Sequence, residues 1–267
     1  MNVALFAHVW RANRLRLAVV TIALAIWGSL MPIIYNAFGS QFKDIFDSGA
    51  FPPQLAQFGG GDLFSLAGAV GLGFVHPIAV ALLLVFGLGF TTTAVAGERQ
   101  RGTLEVLLSR PISRRRLYVT LAIAGAVFIG IAVAGLVLGA FAGALLTGRT
   151  AELGVGNLPL LWLNGALLYW AIGAIGLLAS VSFDRLSPAI SLALAFTIVS
   201  YFFEILGSLW PDAKGLQPLS VFHYVDPRTV LSGFADRGDY VLLAAVIAVA
   251  IGAALVAFPR RDLAAPT

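Results

Sequence analysis

Gly97-Glu98-Arg99-Gln100-Arg101-Gly102-Thr103-Leu104-Glu105-Val106-Leu107-Leu108-Ser109-Arg110-Pro111-Ile112-Ser113-Arg114-Arg115-Arg116 separates two long apolar runs. These 20 residues hold six of the chain's 17 lysines and arginines. Leu104 to Leu108 form an apolar centre bracketed by charge. A polar segment this short, held between two hydrophobic runs, is too small for a domain. It has the size of a handle that another molecule can grip.

The flanking runs set the fold class. Of 267 residues, 59% are apolar and 11% charged, about half the charge content of an ordinary soluble domain. The runs reach the roughly 20 residues that a helix needs to cross the hydrocarbon core, without the alternation of a barrel strand. The sequence predicts an all-α integral membrane protein with six spans, at about 17–35, 77–96, 117–146, 159–181, 188–207 and 240–258. It reads as a single transmembrane domain over 1–267, with no soluble domain appended and no cleavable leader, because the first apolar run passes signal-peptide length without a small-residue cleavage site. The net charge of +4 is no nucleic-acid signature, since the basic residues cluster at span ends, where lipid headgroups and topology account for them.

Residues 1–16 place Leu5, Phe6, Val9 and Trp10 at helical spacing beside Arg11, Arg14 and Arg16, which predicts an amphipathic helix on the membrane surface. Pro32 predicts a kink or stop near the end of span one. Leu63 to Gly73 reads as an interfacial or partly re-entrant piece, and His76-Pro77 as the start of span two. Span three carries Gly135, Gly139 and Gly143 at four-residue spacing, a stripe that suits either packing within the chain or a subunit contact. Ser187-Pro188 reads as the cap and first turn of span five. Residues 208–239 form a long segment between spans five and six. Within it Asp226-Pro227 starts a short helix ended by Gly233, with Val230, Leu231 and Phe234 as its apolar face.

Six spans put both termini on one side. The N-terminus, the handle, the 182–187 turn and the tail hold 12 basic residues, and the other loops hold five. The positive-inside rule makes the termini and the handle cytoplasmic.

Several chemistries are excluded. The absence of cysteine removes disulfides and thiolate chemistry. Neither Lys43 nor Lys214 follows a glycine, so the chain has no phosphate-binding loop of the G-x-x-x-x-G-K type. Three scattered histidines make no metal site. Ser220, His223 and Asp226 have a spacing equally expected of a helical turn capped by Asp226, so no catalytic residue is assigned. Glu204 is the acid set deepest in an apolar run. It either snorkels and pairs with Arg228 or Arg237, or lines a substrate path or gate.

Glu98 to Arg114 resembles the cytoplasmic loop of type-2 ATP-binding-cassette (ABC) permeases. That pattern is Glu, three variable residues, Gly-Thr-Leu-Glu, a leucine pair, then Pro and Ser-Arg. The resemblance implies an outer hairpin over 208–239 and a coupling helix over 98–110, between spans two and three, docking on a separate ABC ATPase through Glu98, Arg99, Arg101, Gly102, Thr103, Leu104, Glu105, Leu107 and Leu108. It implies a non-catalytic permease subunit of an ATP-driven exporter for an amphipathic, drug-like or lipid-like substrate, with no cofactor of its own and with ATP and Mg on two copies of the ATPase. A second permease copy, as a homodimer or with a similar partner, completes the pathway in a bacterial or archaeal cytoplasmic membrane. Trp27, Phe86, Phe90, Phe196 and Phe203 are then candidate pathway linings that ordinary packing explains equally well. Two other readings stand beside it: a membrane subunit whose ATPase strokes serve maturation of an exported partner protein, and an ion-coupled secondary transporter centred on Glu204.

Overall fold

A computed structural model describes residues 1–49, 65–104, 109 and 112–261. Among these residues every regular element is helical, and six helices are long and apolar enough to cross a membrane. Such helices satisfy their own backbone groups, which the bilayer interior requires.

Helix α1 runs from Val3 to Asp47, 45 residues without interruption. The amphipathic segment is therefore not a separate helix but runs on into span one without a break. Pro32 lies inside the helix and does not stop it. At 1.5 Å per residue α1 extends about 67 Å, roughly twice the hydrocarbon thickness. Leu5, Val9, Leu17, Leu24 and Met31 form its buried stripe, while Leu15, Val19, Ile22, Ile26 and Ile34 stand exposed on the opposite face.

Helix α2, Leu66–Val75, starts at a Ser65 cap whose hydroxyl accepts the Gly68 N–H at 3.0 Å. Ten residues are too few to span. His76 is extended and caps helix α3, Pro77–Thr92, with Nδ1 accepting the Ile78 N–H at 3.2 Å. The last carbonyls of α2 have no helical partners, and three other helices supply them. Trp27 Nε1 donates to Gly73 O at 3.0 Å, Tyr169 OH to Phe74 O at 2.6 Å, and Tyr201 OH to Val75 O at 2.9 Å. The break between α2 and α3 is thereby sealed by protein.

Helix α4, Arg114–Leu146, has Ser113 as its cap. Its glycine stripe packs within the chain, against α1. A Cβ on Gly135 would lie 2.6 Å from the Thr21 carbonyl oxygen, and one on Gly139 or Gly143 would fall onto the carbonyl of Ala25 or Ser29. The four-residue steps run in the same direction on both helices, as two odd-numbered spans must. Lipid tails are as apolar as leucine, so helices associate in a membrane through close packing, and glycine lets two backbones meet.

Helix α5, Leu158–Ser182, and helix α6, Leu186–Leu209, follow. Helix α6 begins earlier than expected: its cap is Arg185, and Ser187 lies inside the first turn. Two 3₁₀ segments, Pro211–Leu219 and Val221–Tyr224, lead to the short helix α7, Pro227–Leu231, which Asp226 caps. Gly233 takes a left-handed φ of 92° just beyond it. Val230 and Leu231 are buried as expected, but Phe234 is 75% exposed and no part of that apolar face. The segment after α6 is held to α5 by Asn164, which donates to Tyr224 O at 3.0 Å, and by Asn157 just before α5, which donates to Leu231 O at 3.1 Å. Helix α8, Arg237–Arg260, ends the described fold against α5.

Candidate functional site

The handle grows from an unusual helix end. Thr91, Thr92 and Thr93 each turn a hydroxyl back onto the carbonyl four residues earlier, at 2.9, 2.6 and 2.6 Å. Such back-bonding weakens and bends a helix. Beyond it, Thr93–Gly97 widens into a π turn. Ser180 of α5 occupies the opening. Its Oγ accepts the N–H groups of Val95 at 3.0 Å and Ala96 at 2.9 Å, and donates to Thr92 O at 2.7 Å. In an α-helix the Ala96 N–H would bond Thr92 O directly. The serine hydroxyl is inserted into that bond. Close approach of α5 makes this reach feasible: a Cβ on Gly176 would overlap the Thr91 hydroxyl.

The root of the handle is fastened a second time. Arg99 pairs with Asp184 at 2.7 Å, and Gln100 Oε1 accepts the N–H of Leu186, the first residue of α6, at 2.9 Å. Asp184 also accepts from Arg261, whose guanidinium donates to Val181 O at 2.7 Å. Arg114, at the start of α4, donates to the carbonyls of Pro259 and Arg261. The ends of spans two, four and six and the beginnings of spans three and five thus converge on one polar cluster.

Past this cluster the segment turns to the surface. Glu98 receives hydrogen bonds from Arg101 and from the Thr103 hydroxyl. Gly102 has φ 70°, a left-handed conformation that a side chain would strain. Leu104 is 2% exposed and faces the chain's own core, and Arg99 is engaged by Asp184. Of the residues assigned to docking, Arg101, Gly102 and Thr103 are exposed and Glu98 is half-buried, while Glu105, Leu107 and Leu108 lie outside the described residues. Beside this segment a cleft of about 580 Å³ opens between α1, the end of span two and the start of α4. Leu5, Val9, Phe90 and Leu121 make its apolar wall, and Arg16 and Arg101 its basic rim.

The aromatic residues offered as pathway linings divide. Trp27 is a carbonyl cap, as described above. Phe86 is buried, and Phe86 and Phe90 pack their rings on Phe128 at 5.9 and 5.2 Å. Phe86 belongs to the core, whereas Trp27 and Phe90 are half-buried at its edge, Phe90 also facing the cleft. Phe196 and Phe203 are half-buried on α6. Helices α1, α6 and α8 are the least covered of the six spans.

Glu204 has partners other than the arginines expected. Gln217 Nε2 donates to its Oε1 at 3.0 Å, and His223 Nδ1 stands 3.5 Å from Oε2. Ser208 shares the same Gln217 amide at 3.3 Å. The carboxylate thus latches α6 to the segment that follows. Ser220 and Asp226 cap the turns at Phe222 and Thr229, so the three residues weighed as a triad serve separate local roles. His76 lies under the Trp27 ring at 4.8 Å. Burial lowers its pKa, which favours the neutral ring that its Nδ1 acceptor role requires. Among the described residues no three His, Asp or Glu side chains group as a metal site.

Sequence reasoning missed Ser180, Gln100, Asp184 and Arg261. The available signal was the Thr91-Thr92-Thr93 run, a cluster of β-branched hydroxyl residues late in an apolar span. The partner across the bundle carried no local mark.

No curated protein matches the chain. The sequence pattern of the family described as "ABC-2 family transporter protein" matches residues 10–263. That match covers nearly the whole chain, and with it the loop between spans two and three. The protein belongs to the ABC-2 transporter family, as an integral, multi-pass membrane permease.

Proposed function

We propose that this chain is the permease subunit of an ATP-driven exporter, and that the loop 98–110 is the coupling helix on which a separate ABC ATPase docks. The observation that carries the reading is the double fastening of the loop's root. Ser180 ties it to α5, while Asp184 and the Leu186 N–H tie it to the turn leading into α6. A loop so attached cannot be displaced without moving the helices, which is what a lever requires. Glu98, Arg101 and Thr103 offer a polar surface for rim contacts, and the leucine pair at 107–108 supplies apolar side chains for a groove.

In this reading two permease copies and two ATPase copies assemble, with ATP and Mg held by the ATPases. Closure of the ATPase pair displaces both loops and rocks the protomers as rigid bodies. The substrate is amphipathic, drug-like or lipid-like, and its path follows the protomer interface, where the thinly covered faces of α1 and α6, with Phe196 and Phe203, stand available. The loop and both termini face the cytosol.

The test is co-expression with the candidate cassette ATPase and capture through a tag on the permease. The ATPase is retained by the wild-type chain and lost when Leu107→Asp is introduced. Equal retention by both removes the docking assignment.

A further inference from the structure

We propose that Ser180 is a positioning residue for energy coupling: its hydroxyl holds the π turn Thr93–Gly97 open, sets the direction in which the handle leaves span two, and makes that end of span two move with α5. The proposal rests on the coupling role proposed above for the loop that follows.

A π turn survives only where something compensates its poorer hydrogen bonding, and insertion of a side chain into the helical ladder is a recognised cause of a local bend. Here the insertion is complete in hydrogen-bond terms. The serine accepts two amide protons and donates one hydroxyl proton, which uses its whole capacity. Ser180, Thr92 and Ala96 are all fully buried, so no water replaces the hydroxyl on demand. The packing around it is built from small side chains: Ala96, Ala179 and Ala189 meet at the junction of spans two, four and five. These residues leave no slack for the helix end to slide.

The consequence concerns register. If the hydroxyl is removed, the Ala96 N–H can bond Thr92 O directly and the turn can rewind to α. Rewinding one π turn rotates everything beyond it by roughly the 100° of one helical residue. That rotation carries Arg99 away from Asp184 and Gln100 away from Leu186. Ser180 therefore governs contacts seven and more residues beyond Thr92, on a different helix from its own.

The absence of cysteine from the chain allows spin labels to be placed at will. Labels at Arg101 and Ser182, both exposed and neither of them a contact that fastens the handle root to α5 or α6, report the distance between the handle root and the end of α5 by pulsed electron resonance. In the wild-type background this distance is expected to be single and unchanged between nucleotide-free and ATP-bound complexes with the ATPase, because the two ends move as one body. In Ser180→Ala it shifts by roughly 5 Å or more, the displacement that a rotation of about 100° gives side chains standing about 5 Å from the helix axis, and becomes sensitive to nucleotide. Ser180→Thr, which keeps the hydroxyl, restores the wild-type distance. An unchanged distance in Ser180→Ala overturns the proposal, as does a wild-type distance that itself changes with nucleotide; the second result needs no variant to fold. If the wild-type chain retains no ATPase, the proposed function fails, and the nucleotide-free distances alone still decide whether Ser180 sets the register.

Discussion

Gly139 of α4 lies so close to Ala25 of α1 that a β-carbon on the glycine would fall on the alanine carbonyl. Gly28 of α1 makes the reciprocal approach, toward Leu136 O. A larger side chain therefore has to push the α1 and α4 backbones apart. Gly139→Val is expected to cost about 3 kcal/mol or more, read as a marked fall in the apparent Tm of the detergent-solubilised chain. Gly130→Ala is the control, because its added methyl would meet only Trp162 Cζ2 at 3.4 Å and should change the Tm little.

The end of α2 gives a second expectation. Tyr169 is buried and donates to Phe74 O at 2.6 Å. Tyr169→Phe keeps the ring and strips the donor, leaving a buried carbonyl unpaired at a cost of about 1–3 kcal/mol. Thermal unfolding followed by tryptophan fluorescence measures it. A neutral result would mean that water reaches the α2–α3 break.

At Glu204, the hydrogen bond from Gln217 and the nearby His223 describe a latch between α6 and the segment that follows. Glu204→Gln preserves an acceptor for the Gln217 amide, so export of an amphipathic dye from cells carrying the complex is expected to stay close to the wild-type rate. Glu204→Leu leaves that amide only the longer bond to Ser208 and is expected to cost about 1 kcal/mol of stability. A severe loss of export in Glu204→Gln, with stability intact, would restore the ion-coupled reading.

Asp184 holds two cations at the handle root, Arg99 and Arg261. It is half exposed, so the ion pairs contribute about 1 kcal/mol or less each to stability. Their weight falls on geometry. Asp184→Asn is expected to reduce ATP-driven export more than Arg99→Gln does, since it releases both arginines, while the Tm moves only slightly. Export measured in parallel with Tm separates the two effects.

Much of this architecture is legible in the amino-acid sequence. The spans follow from composition, and His76-Pro77 and Asp226 mark helix starts because capping is a local matter of two or three residues. The glycine stripe in α4 is equally visible, but its partner is not: Thr21, Ala25 and Ser29 are unremarkable until the helices are laid together. Continuation of α1 through Arg16 and Pro32 is hidden for a different reason. An amphipathic stretch and an apolar span share one helical period, and a proline in a membrane helix is tolerated where neighbours support it. The knot at Ser180 is the least legible feature, because it joins residues 84 to 88 positions apart through a hydroxyl that local pattern treats as incidental. For the loop itself, the motif around Gly102 and Thr103 carried the family, whereas the inward turn of Leu104 and the pairing of Arg99 depend on tertiary neighbours.

A docked ATPase can work the loop after span two only from the cytosol, so the side on which that loop lies is decisive. Ser109→Cys gives the chain one thiol within the loop, and a membrane-impermeant maleimide reports its side. Labelling is expected in inverted membrane vesicles, absent in intact cells, and suppressed when the ATPase is bound. Labelling of Ser109→Cys in intact cells would place the loop on the outer surface, beyond the reach of any such partner, and would contradict the account.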